Sequence, residues 1–195
     1  QYNFCEAIGK SGKEPILVFK ETQKDQYLGG VLSIARNLSE FSKKITIISM
    51  LGEKREYLKD INKILPNNIK KKFIYKKKSP TIVKKRYVDG ISQSKIVGIY
   101  NINDEILNKK DEITFNKLLK KELSKYDLVI VSDYGHGLIS KKSAKLICKY
   151  AKFLALNAQV NASNIGYHTI RNYKNFDTLI INEREIRHEM RDKIS

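Results

Sequence analysis

Three places in the sequence break an apolar run with carboxylates, amides and glycines: Ser132-Asp133-Tyr134-Gly135-His136-Gly137, Asn157-Ala158-Gln159-Val160-Asn161 and Asn182-Glu183-Arg184-Glu185. Carboxylates and amides can hold a hydrated cation or accept from ligand hydroxyls. Glycine lets a backbone approach a ligand closely. Asp and Asn at strand-to-helix junctions are also ordinary helix caps, so at any one place the capping reading competes. Three such places at one end of a single sheet favour a site. The Gly29-Gly30 pair opens a helix and either delivers backbone N–H groups to a ligand or forms a bare turn. It is not a Walker A loop, because no Gly-Lys-Ser/Thr follows, and a dinucleotide fingerprint is absent.

Other chemistries are excluded by spacing. His136, His168 and His188 have no metal-ligand spacing among them. His136, between two glycines at a strand end, is the histidine of interest, whereas His188 lies on a charged helix and reads as exposed. Cys5 and Cys148 form no C-x-x-C pair, which argues against a disulfide framework or a cysteine zinc site and for a reducing, cytoplasmic setting. Cys148 shares an apolar helix face with Ala144 and Ile147 and reads as core. No Ser stands in a G-x-S-x-G context, so an α/β-hydrolase elbow is out.

The elements that must position these residues alternate. Residues 28–41 read as a Gly-Gly turn opening a helix, with Leu32, Ala35, Leu38 and Phe41 apolar at helical spacing. Ile45 to Leu51 is a β-branched strand, buried on both faces, and residues 54–65 are a helix stopped before Pro66. Residues 81–100 read as a hairpin turning at Asp89-Gly90, with residues 14–20 as a pairing segment. A helix over 111–124 with Ile113, Leu118, Leu119 and Leu123 apolar follows. Then come a strand at 127–133, a helix from Ser140, its cap, to Tyr150, strands at 153–157 and 176–182, and a helix over 183–190. Such alternation predicts a mainly parallel sheet covered on both faces, with ligands at the carboxyl ends of its strands.

The 195 residues carry a net charge of +17, almost all of it from Lys spread along the chain, with runs at 70–72 and 76–78. The excess reads as a compositional bias in which Lys serves as solvated surface. Nucleic-acid binding is the disfavoured reading, because Arg is scarce and no aromatic-interleaved basic motif is present. No apolar run approaches the roughly 18 residues of a membrane span.

Four segments in order carry a resemblance. Leu28-Gly29-Gly30 opens a helix holding Ala35 and Asn37-Leu38. Pro80-Thr81-Ile82-Val83-Lys84-Lys85-Arg86 follows, then Val131-Ser132-Asp133-Tyr134-Gly135-His136-Gly137, then Asn182-Glu183-Arg184-Glu185. Together they resemble the PfkB carbohydrate kinase family: its sugar-side Gly-Gly segment, its lid strand, the S-D-Y-G-K-G loop of its heptose-kinase branch and its N-x-x-E motif. Phe4 to Pro15, Ser132 to Leu138 and Asn157 to Asn161 look closest to the branch in which a heptose-7-phosphate kinase half accompanies a nucleotidylyltransferase domain.

The resemblance implies a three-layer α/β/α, ribokinase-like fold, a mainly parallel sheet with a small β lid at about 14–20 and 81–100. It implies ATP-dependent phosphoryl transfer, with Mg²⁺, to a hydroxyl of a sugar or sugar phosphate. Residues 1–195 would form a single incomplete kinase domain. The upstream strand with its sugar-binding Asp and the downstream G-A-G-D, source of the base and anion hole, are absent, so no catalytic residue is assigned and the isolated piece is expected to be inactive. Carried over by position, Gly29, Gly30 and Ser33 face the sugar, Lys84 and Arg86 lie by the lid near a sugar phosphate, and Asp133 lies at the sugar–nucleotide junction. Asn182 and Glu185 organise Mg²⁺ and phosphate, without direct metal ligation. A homodimer through the lid strands and a fused nucleotidylyltransferase domain are the implied partners.

The chain departs from the family at three points. Ser33 stands for the usual Asn, His136 for the loop Lys, and Asn157-Ala158-Gln159 for D-P-K. These departures motivate the alternative of a kinase-like binding module that has lost catalysis.

Overall fold

The computed structural model describes residues 1–159 and 170–191; Val160, Asn161 and His168 lie outside the described residues. In chain order the elements are β1 (Tyr2–Lys10), β2 (Leu17–Asp25), α1 (Val31–Leu38), β3 (Ile45–Gly52), α2 (Leu58–Ile64), β4 (Ile69–Lys76), β5 (Val83–Asp89), β6 (Lys95–Asn101), α3 (Lys109–Glu122), β7 (Val129–Asp133), α4 (Lys141–Tyr150), β8 (Leu154–Ala158), β9 (Thr178–Leu179) and α5 (Glu183–Met190). They fall into two compact units. The first comprises Gln1–Ile45, Leu51–Ile69 and Lys77–Ile102, the second Thr46–Met50, Lys70–Lys76 and Asn103–Ser195.

The first unit is built on a four-stranded sheet in the order β2-β1-β5-β6. β1 runs antiparallel to β2 and parallel to β5, and β5 runs antiparallel to β6. The hairpin expected at 81–100 is therefore β5 and β6. The early segment differs from its sequence reading: residues 14–16 precede the strand, which is Leu17–Asp25, and its partner is β1, an element that went unread. β1 alternates only over its first half, where Asn3 and Cys5 are buried, and is exposed from Glu6 to Lys10, Ile8 included. Asn3 tolerates burial because its amide is bonded to Gln1 and Glu21.

α1 is preceded by Gly30 at its N-cap, whose φ of 54° and ψ of −135° are costly for any residue with a Cβ. It is shorter than the helix read from the sequence and buries Ala35, while Phe41, assigned to its apolar face, lies beyond its end and is 85% exposed. α2 also starts late, at Leu58 rather than 54, because Arg55 and Tyr57 take left-handed φ values of 56° and 66°.

In the second unit β7, β8 and β9 form a parallel sheet. Phe115 and Leu119 of α3 and Ala144 and Ile147 of α4 join Val131 and Leu156 in its core. The apolar face of α3 is rotated from its sequence reading: Phe115, Asn116, Leu119 and Glu122 are buried, while Ile113 is 52% exposed. Asn116 is bonded by the buried Ser143 hydroxyl across the two helices at 2.7 Å. Ser140 caps α4 as expected, accepting from the Ser143 N–H at 3.1 Å. β9 spans only two residues of the strand expected over 176–182.

The lysine runs are not all solvated surface. β4, unread because Lys fills half of it, pairs with β3. Its Lys72 contacts the buried carboxylate of Glu122 at 2.8 Å, and Lys125 contacts the same oxygen at 2.9 Å. The two ammonium groups pull the Glu122 carboxyl down to about 2. Lys76 is buried and donates to the carbonyls of Asn103, at 2.7 Å, and of Glu105. Among the described residues no helix is long and apolar enough to cross a membrane.

Candidate functional site

The parallel register in the second unit pairs Ser132 with Asn157, Asp133 with Ala158 and Leu156 with Leu179, so the carboxyl ends of β7, β8 and β9 lie side by side. Asp133 ends β7 and is buried. Its Oδ1 accepts the Gly135 N–H at 3.0 Å and its Oδ2 accepts the Tyr173 O–H at 2.7 Å. Tyr173 is 3% exposed. Burial first, and then the Asp133 charge, push its phenol far above the ordinary tyrosine range, so it stays a donor. The Asp133 carbonyl accepts the Gln159 N–H at 2.8 Å, and the Asn157 amide donates to the Ile180 carbonyl at 2.7 Å. These bonds tie the three strand ends together.

Asn182 and Glu185 form a capping box at the start of α5. The Asn182 side chain accepts the Arg184 N–H at 2.9 Å, and the buried Glu185 carboxylate accepts the Asn182 N–H at 2.9 Å. Both readings of this motif thus rest on the same atoms, with the cap observed directly. Among the described residues no group of three His, Cys, Asp or Glu side chains is placed to hold a metal ion. Asn182 and Glu185, already engaged in the cap, do not amount to a direct Mg²⁺ site.

The loop after β7 is held from one side by residues 103–107. His136 Nδ1 lies 2.6 Å from the Asp104 carboxylate, and Tyr134 stacks near the imidazole at 6.4 Å between centroids. Gly137, at φ 80°, sits so close to this segment that a Cβ would fall 1.9 Å from the Glu105 carbonyl oxygen. The Leu107 N–H donates to the Gly137 carbonyl at 3.1 Å. The Lys76 ammonium grips the same segment from β4. Its desolvation lowers its pKa, partly offset by Glu105 and Asp104.

The remaining expected site residues belong to the first unit. Gly29 is exposed, with open space where a Cβ would stand, and Gly30 and Ser33 are half-buried at the start of α1. Tyr2 pairs with Asp25 on one side and Arg86 on the other. The Arg86 guanidinium lies over the Tyr2 ring at 5.6 Å, and the Tyr2 ring meets that of Tyr27, just before Gly29, at 6.0 Å. Lys84 lies over the ring of Tyr100, its partner on β6, at 5.4 Å. Each cation is set against an aromatic face on the sheet. Thr81, at the head of the same segment, donates to Glu56 and accepts the Gly52 N–H at 3.0 Å. Gly52 is required there, since a Cβ would fall 2.2 Å from the Thr81 nitrogen.

Within the second unit Asp133 and Asn157 lie at neighbouring strand ends, and Asn182 opens α5 three residues after β9. Within the first unit Arg86, Tyr2 and Tyr27 form a chain of ring contacts that ends two residues before Gly29. Tyr173, Asp104 and Lys76 were missed. Tyr173 stands in a polar stretch, Arg-Asn-Tyr-Lys-Asn, where no periodicity flags it.

No family model matches the chain. It is 28% identical over 167 residues to the bifunctional protein HldE of Campylobacter jejuni subsp. doylei, covering 82% of this chain and 32% of that protein. It is 26% identical over 187 residues to the bifunctional protein HldE of Aliarcobacter butzleri, covering 93% of this chain and 37% of the relative. The crystal structure of phosphofructokinase-2 from Escherichia coli in complex with fructose-6-phosphate superposes with a TM-score of 0.62 at 13% identity, over 100% of this chain and 62% of that one. The chain has the ribokinase-like fold. The α/β architecture expected from the sequence therefore holds, and the ribokinase-like chain spans about a third of the length of the curated relatives it matches.

Proposed function

We propose that this chain is the central part of an ATP-dependent kinase domain that phosphorylates a hydroxyl of a sugar phosphate of the heptose type. The observation that carries the reading is the placement of Asp133 and Asn157 at the neighbouring carboxyl ends of β7 and β8, with Asn157 bonded to the Ile180 carbonyl just past β9, where open α/β sheets bind ligands. Similarity to HldE over most of the chain supports it. In this reading Gly29, Gly30 and Ser33 meet the sugar, Lys84 and Arg86 meet its phosphate, and Asp133 accepts from a sugar hydroxyl. ATP and Mg²⁺ supply and neutralise the transferred phosphoryl group, with Asn182 and Glu185 acting on the phosphate side. A cytoplasmic setting and a nucleotidylyltransferase domain in the same protein belong to this reading. So does a second copy pairing at β6, an edge strand exposed along its whole length.

The test is ADP release by the whole protein containing this chain, with a panel of phosphorylated heptoses. Turnover with at least one heptose phosphate is expected, and none across the panel overturns the kinase reading. A second reading, binding without catalysis, draws on His136, which stands where the heptose branch has Lys and is engaged with Asp104. Tight heptose-phosphate binding without ADP release would favour it. Light scattering reports the oligomeric state, and a monomer removes the β6 pairing.

A further inference from the structure

Tyr173 is the largest polar side chain in the core of the second unit. A buried phenol must find an acceptor, and this one finds the Asp133 carboxylate at 2.7 Å. The opposite carboxylate oxygen takes the Gly135 N–H, whose direction is set by a glycine at φ 67°. Two donors on two different oxygens fix both the position and the plane of the carboxylate. Burial keeps the phenol protonated, so the donor does not switch off across the physiological range.

We propose that Tyr173 is a positioning residue that aims the Asp133 carboxylate at the sugar, and so sets affinity for the sugar rather than the rate of phosphoryl transfer. The proposal rests on the kinase reading for the role of Asp133. The packing argument separates the two parts of Tyr173. Its ring belongs to the buried cluster that also holds Ala144, Ile147 and Leu156, while its hydroxyl bonds Asp133. Tyr173→Phe removes only the second. A hydrogen bond to a charged group is among the stronger ones, and a carboxylate with one support gone can swing out of its productive plane.

The experiment uses the whole protein, with heptose 7-phosphate and ATP as probes. For Tyr173→Phe the KM for the sugar is expected to rise about tenfold, with kcat and the KM for ATP within about twofold of wild type. Calorimetric binding of heptose 7-phosphate is read in parallel. If wild type binds the sugar but does not turn over, the kinase reading fails, and a tenfold weaker binding by Tyr173→Phe still upholds the positioning role. Equal affinity of Tyr173→Phe and wild type overturns the positioning role whether or not turnover occurs. A parallel rise in both KM values with a lowered thermal midpoint also overturns it, because that is the mark of a merely structural residue. If wild type neither binds nor turns over heptose 7-phosphate, both readings fall.

Discussion

The imidazole of His136 and the carboxylate of Asp104 meet at 2.6 Å, joining the loop after β7 to the segment ahead of α3. The side chains are 10% and 25% exposed, so the contact is shielded enough to matter. Asp104→Asn and His136→Gln should each lower stability by about 1–2 kcal/mol. Because they share one contact, the double variant should cost less than the sum, by about 1 kcal/mol. Denaturant titrations of the four proteins check this, and strict additivity would refute the pairing.

Gly137 is the tighter constraint in the same loop. Gly137→Ala places a Cβ against the Glu105 carbonyl and also demands φ near 80° of an L residue. A loss of more than about 3 kcal/mol, or failure to fold, is expected. Recovery of wild-type stability in Gly137→Ala would mean that the loop does not lie against residues 104 and 105.

The Gly29-Gly30 pair separates backbone need from ligand approach. Gly30→Ala should cost about 1–2 kcal/mol because of its φ of 54°. Gly29→Ala meets nothing within 4 Å and should be neutral within about 0.5 kcal/mol. If Gly29 faces the sugar, Gly29→Ala nevertheless raises the KM for the sugar in the whole protein. Unchanged kinetics in this stable variant would remove Gly29 from the site.

What was legible in the sequence follows the strength of the local signal. The helix over 183–190 and the Ser140 cap were readable because capping chemistry is local: a side-chain oxygen reaches an N–H two or three residues on. β4 was not, because Lys70 to Lys72 and Lys76 give no apolar alternation. The ammonium groups of Lys72 and Lys76 are satisfied by Glu122 and by the Asn103 and Glu105 carbonyls, which are far away in sequence. Asp133 was legible as a polar break at the end of an apolar run, whereas its partner Tyr173, forty residues on, was not. Long-range pairs of this kind leave no period to read.

Glu122 ties acid stability to the lysine run. Its carboxyl falls from 4.5 in the unfolded chain to about 2 in the fold, so its contribution is present above about pH 4.5 and is lost as pH falls toward 2. Glu122→Gln leaves Lys72 and Lys125 without the charge and should cost about 1–3 kcal/mol at pH 7. The gap from wild type should begin to close below about pH 4.5. A gap that stays constant from pH 7 to pH 3.5 would show that the charge contributes nothing.

Asn182 and Glu185 pose the sharpest question, because the capping box alone accounts for their positions. Asn182→Ala should lower stability by about 1 kcal/mol, since it strips an acceptor from the first turn of α5. Asn182→Asp retains that acceptor and adds a charge that the helix N-terminus favours, so stability should hold or rise slightly. The two roles then diverge in one variant. If Asn182 only caps α5, Asn182→Asp keeps both fold and turnover. If it also acts on the phosphate side, the added negative charge repels the phosphates, and kcat in the whole protein falls by tenfold or more at unchanged thermal midpoint. Paired melting curves and ADP-release rates for Asn182→Asp decide between a cap and a cap that also serves phosphoryl transfer.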